Sequence, residues 1–126
     1  MFGAAACVWS SLALLPMVAV LAVKGSWLSL LYLAAAAVAF LYHWHRERRF
    51  VQADHALAWA CIVTNLWLLV NSDDWRKGAS AALFILMAVE RYYAAHEGDD
   101  RDYCHHHTVW HLWCGAGGLM LALGYH

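Results

Sequence analysis

The charges of this chain are gathered into a few short clusters. They lie at Arg46–Asp54, Asp73–Lys77 and Glu90–Asp102, with Lys24 alone near the start, and long uncharged stretches separate them. Hydrophobic residues make up 63% of the 126 positions and charged residues 13%, whereas an ordinary soluble domain carries about 25% charge. A run of about 17–25 apolar residues crosses a bilayer as a helix, and in lipid a helix satisfies its own backbone. The pattern predicts an all-α fold: one domain, an integral membrane bundle of about five transmembrane helices.

The expected spans are 4–23, 27–44, 54–70, 78–93 and 107–124. Lys24-Gly25-Ser26 and Asn71-Ser72-Asp73-Asp74 read as tight turns. His45–Arg49 reads as a basic loop and Ala94–His106 as a polar one. Trp27, Trp44, Trp75, Tyr92, Tyr93 and Trp113 cluster towards span ends, as interfacial aromatic belts do. The first span has an uncharged start and no small-residue cleavage site, so it reads as a retained helix. Pro16 inside it is tolerated in membrane helices.

Five spans put the loops after the second and fourth on one face, here called proximal. That face holds Arg46, Arg48, Arg49, Arg91 and Arg101, and the distal face holds Lys24, Arg76 and Lys77. The positive-inside bias makes the proximal face cytoplasmic. A net charge of −1 and the lack of a basic stripe argue against nucleic acid as a partner. Cys7, Cys61, Cys104 and Cys114 form no CxxC pair and read as free thiols packed as small hydrophobes.

Nine histidines are unevenly placed. His43, His45, His55, His96, His105, His106, His107 and His111 all fall at or near the proximal face, and only His126 is distal. His107 and His111 are four apart, which puts two imidazoles on one helical face. His43 ends the second span and Asp54 opens the third. Each has a plain reading: snorkelling for His43, an N-cap or a pair with Arg48 or Arg49 for Asp54, and an interfacial position for the His pair. Taken together they suggest more. Three neutral imidazoles leave the open fourth position of a catalytic zinc site, and a nearby carboxylate can take a proton from water.

The run Phe40-Leu41-Tyr42-His43, then Asp54, then His107-Thr108-Val109-Trp110-His111-Leu112-Trp113 resembles the CREST superfamily of membrane hydrolases. That group includes alkaline ceramidases, adiponectin-receptor-like proteins, GPI-anchor-remodelling lipases and myomaker. The eleven-residue step from His43 to Asp54 is similar to that of the alkaline ceramidases, and the last motif looks most like the myomaker and GPI-lipase branch. The resemblance covers roughly half the chain. It implies that His43, His107 and His111 bind zinc, that Asp54 stands beside the water on the metal, and that an amide or ester bond of a membrane lipid is cleaved.

There are two departures. The family serine four positions before the first histidine is Ala39 here, and the family has seven helices. Ser10 or Ser11, entering from the first span, could replace the missing hydroxyl, and Tyr42 is a further candidate to support the ligands. A non-catalytic, metal-stabilised scaffold or receptor-like protein is the first alternative. A haem or di-iron redox protein, using His43 and His111 on facing helices, is the second.

Other residues have narrower expectations. Asn65 suits an interhelical hydrogen bond or a cavity wall. Glu90 suits an arginine partner or a place near the metal. Cys104-His105-His106 reads as a solvated loop, with an accessory metal site as the second reading. Gly115 and Gly118, with Ala116 and Ala122, allow close helix contact inside the bundle or, as a second use, across a homodimer seam.

Overall fold

The computed structural model describes residues 4–45, 47–71, 75–96 and 100–124. Every described element is helical. They are α1 (Ala4–Ser10), a 3₁₀ turn (Ser11–Leu14), α2 (Leu15–Val23), α3 (Leu28–His45), α4 (Arg48–Val70), α5 (Arg76–His96) and α6 (Asp100–Gly124). Among the described residues three stretches are long and apolar enough to cross a membrane: Ala5–Val23, Leu28–His45 and Arg49–Val70. Within α5 the apolar stretch is shorter, Gly78–Val89, because Arg76, Lys77, Glu90 and Arg91 flank it.

Two expected loops are mostly helix. Between Arg48 and Val70 there is no glycine or proline to end a helix, so α4 begins six residues before Asp54. α6 likewise begins at Asp100. The reading of Asp54 as an N-cap is therefore overturned. Glu47 holds that position, without a side-chain cap bond. Arg46, Ser72–Asp74, His126 and the side chains of Arg48 and Glu90 lie outside the described residues.

The first span is broken for a local reason. Pro16, at the start of α2, has no N–H to continue the α-helical ladder, and the turn before it tightens to 3₁₀. α2 then ends at a left-handed Gly25 (φ 70). Ser26 N–H donates to the Leu21 carbonyl at 2.9 Å and Gly25 N–H to that of Ala22 at 2.9 Å, a Schellman closure. Lys24 Nζ donates to the carbonyls of Ala122 (2.8 Å) and Leu123 (3.0 Å), placing a cation on the negative end of α6.

Packing follows from small residues. The broken first span lies against α3 and α6, α5 pairs with α6, and α4 leans on α3 while touching α5 and α6 only lightly. A Cβ at Gly115 would run into the Ala13 backbone, and one at Gly118 would stand 2.6 Å from the Met17 sulfur. One at Gly117 would stand 2.8 Å from the Phe84 ring. These glycines let α6 seat against two neighbours of its own chain. Met17, Leu21, Leu28, Tyr32, Cys61, Leu68 and Leu121 form the core around that seam. Inside it, buried Tyr32 donates its hydroxyl proton to Asn65 Oδ1 and ties α3 to α4.

Gly115→Ala should lower thermal stability in detergent by roughly 1–3 kcal/mol, through overpacking against a backbone that cannot step aside. Gly78→Ala, whose added Cβ meets nothing within 4 Å, should leave stability unchanged or slightly higher. Parallel melts of the two variants check the seam, and equal melting temperatures would contradict it.

Candidate metal centre

Three helix ends meet at the proximal side: the start of the first span, the end of α3 and the first turns of α6. α3 delivers His43 two residues before its end. α6 delivers His107 and His111, which its early start at Asp100 places about two and three turns inside the helix. The rings converge. Their centroids are 4.8 Å apart for His43 and His107, 4.4 Å for His107 and His111, and 5.4 Å for His43 and His111.

His43 Nε2 and His107 Nε2 lie 3.1 Å apart. Two nitrogens bound to one tetrahedral zinc at ordinary bond lengths stand roughly 3.3 Å apart. The pair thus has the spacing of a ligand edge, and imidazole is a donor that zinc accepts. Cys7 completes a group around it: Cys7, His43 and His107 each offer a ligand atom, and these atoms all lie within 4.8 Å of one another. This cluster could hold a metal ion.

The first span also orders the third histidine. Ser10 Oγ donates to the Cys7 carbonyl at 3.0 Å and lies 2.8 Å from His111 Nδ1. A hydroxyl has one proton. With that proton on the carbonyl, His111 Nδ1 carries the hydrogen and donates it to Ser10, which leaves His111 Nε2 bare. A neutral ring fixed through Nδ1 is the form in which histidine binds metals. On the next helix, Cys7 Sγ faces His43 Nδ1 at 3.7 Å, with Nε2 turned towards His107. Ser11 Oγ donates to the Cys7 carbonyl at 3.2 Å, so of the two expected serines only Ser10 contacts a histidine through a described bond.

Asp54 reaches the centre as a wall of two adjoining cavities. The smaller, of about 70 Å³, is lined by Ser10, Ser11, Ala39, Asp54, Asn65 and His111, among others. The larger, of about 370 Å³, is lined by Tyr42, Asp54, His55, Arg91, His107 and Trp110, with Ala58, Trp59, Ile62 and Met87 as apolar wall. Both occupy the cleft left where α4 touches α5 and α6 only lightly. Tyr42 packs its ring 5.0 Å from that of His43. Arg49, weighed as a partner for Asp54, instead pairs with Glu47 at 2.7 Å.

Of the residues singled out in the sequence, His43 and His107 offer ligand atoms to the cluster, whereas His111 packs its ring against both and bonds Ser10 but is not part of that group, and Asp54 and Tyr42 border the same space. Cys7 was read as a packed thiol and so was missed. Its signal was there: Cys7 and Ser10 are three apart on one helix, hence on one face and at one depth. Cys104 is buried in α6 and not a loop residue, and all four cysteines are free thiols.

Ser10→Ala removes the acceptor that orients His111. Metal affinity should fall roughly 10- to 100-fold, the usual loss for a group that fixes a ligand's tautomer, with the fold intact. Competition of purified protein against a chelator of known affinity measures it, and an unchanged affinity would refute the orienting role. Compared with protein-family models, with curated proteins and with solved structures, the chain gives no match to any of them.

Proposed function

We propose that the protein is a zinc-dependent intramembrane hydrolase that cleaves an amide or ester bond of a membrane lipid, built as a five-span bundle with its metal held by His43, His107 and His111. The observation that carries the reading is the meeting of three histidines from two helices beside a cavity that also contains a carboxylate and a hydroxyl. Bound zinc would supply Lewis acidity for a carbonyl and lower the pKa of water at neutral pH.

The chain's own residues have the remaining roles. Ser10 keeps His111 in the tautomer that ligates. Asp54 faces the cavity and holds the proton that water loses as it adds to the carbonyl carbon. When the carbon–nitrogen or carbon–oxygen bond breaks, Asp54 returns that proton to the departing amine or alcohol. Ser10 lines the same cavity as Ala39. The larger cavity suits an amphiphile. Tyr42, His55 and Arg91 form a polar end for a headgroup, and Trp59, Ile62 and Met87 form an apolar wall for a chain.

A lipid setting is supported by the exterior. Val23 is 89% exposed and Trp27 73%, and Trp59, Val70, Trp75 and Ile85 are also open to the surroundings. Water solvates such a coat poorly and acyl chains solvate it well. A cytoplasmic position for the metal end follows from the arginine bias. The seam of Gly115 and Gly118 is filled by Ala13 and Met17 of the same chain, which favours its use within the bundle over a homodimer seam. A second reading, a metal-stabilised scaffold without turnover, draws on Ala39 and on the extra donor Cys7.

Asp54→Asn should abolish lipid hydrolysis while the protein retains about one zinc by elemental analysis. Undiminished turnover in that variant would refute the proposed mechanism. A parent protein that holds zinc yet cleaves no ceramide, phospholipid or other lipid amide or ester would favour the scaffold.

A further inference from the structure

The three-histidine reading leaves Cys7 unused, although its thiol is among the best-placed donors at the site. The side chain is 3% exposed. Its sulfur lies 3.7 Å from His43 Nδ1, and it belongs with His43 and His107 to the cluster whose ligand atoms lie within 4.8 Å of one another. The backbone around Cys7 is held as well: its carbonyl accepts from both Ser10 and Ser11, on the turn that precedes the Pro16 break. The thiol is therefore presented to the histidines by a fixed backbone.

We infer that Cys7 is a fourth metal ligand, its thiolate completing a set of one sulfur and three imidazoles with His43, His107 and His111. Deprotonation balances the step: the thiol gives up its proton to solvent as the sulfur–metal bond forms. The consequence is a centre closed at rest. A sulfur in the fourth position takes the place that water needs, so hydrolysis requires Cys7 to leave the metal first. The softer donor also biases the site towards zinc or cobalt over magnesium or calcium. This inference rests on the metal-centre reading above.

The test is cobalt substitution of the purified full chain in detergent. Co²⁺ bound to thiolate gives an intense sulfur-to-metal charge-transfer band in the near ultraviolet, which imidazole and water ligands do not give. At one bound cobalt, the parent is expected to show this band. Cys7→Ala is expected to keep one cobalt through its three histidines and to lose the band. Cobalt bound without the band in the parent would overturn the assignment of Cys7 and leave the three-histidine centre standing. A band that survives in Cys7→Ala would also overturn it, by assigning the sulfur to another thiol. A parent that binds no cobalt would overturn this inference and the metal centre together, whereas failure of the hydrolase reading alone leaves metal bound and lipid uncleaved.

Discussion

The close approach of α6 to the broken first span is the contact on which the proximal centre depends. It needs three things at once: no side chain at Gly115 and Gly118, a 3₁₀ turn that carries Ala13 forward, and Pro16 to end the ladder there. At Gly118 a side chain would have to displace the Met17 side chain, whereas at Gly115 it would push against the Ala13 backbone and hold the two elements apart. His111 would then lose Ser10, since a hydrogen bond of 2.8 Å does not survive such a displacement. The seam is thus both the structural spine and the device that brings hydroxyl and imidazole together.

A second constraint is polar. In a bundle whose exterior is apolar, each buried polar group needs a partner inside. Tyr32 and Asn65 satisfy each other between α3 and α4, and Lys24 satisfies two carbonyls at the end of α6. At the proximal end Ser10, Ser11 and Cys7 share one carbonyl and two imidazoles. These bonds form one distal tie, one central tie and one proximal cluster. Among the described residues, metal-type donors gather beside open space at the proximal cluster, and this separates a site from a set of structural bonds.

The light contact of α4 with α5 and α6 gives the centre its surroundings. α4 is held chiefly by α3, so a cleft remains on its other side, and Asp54 borders both cavities within it. The carboxylate sits where it does because α4 extends back to Arg48. Had the helix begun at Asp54, that residue would have been bound to its own backbone N–H groups as a cap. The helical extension frees the carboxylate for the cavity.

What the sequence determined by itself was set by periodicity and by local chemistry. The uncharged runs specify helices, Lys24-Gly25-Ser26 specifies the turn, and the spacing of His107 and His111 specifies a shared face, because each depends on neighbours within a few residues. The grouping of His43 with His107 and His111 was also legible, since alternating spans put those ends on one side. The helix starts at Arg48 and Asp100 were not, because charge at the end of an apolar run resembles a loop when only composition is read. Nor were the choice of Ser10 over Ser11, the place of Cys7 beside His43, or the partners of Gly115 and Gly118. Those are contacts between residues some 30 to 100 positions apart, decided by the rotation and depth at which whole helices seat. Tertiary packing selects that rotation, and no local pattern encodes it.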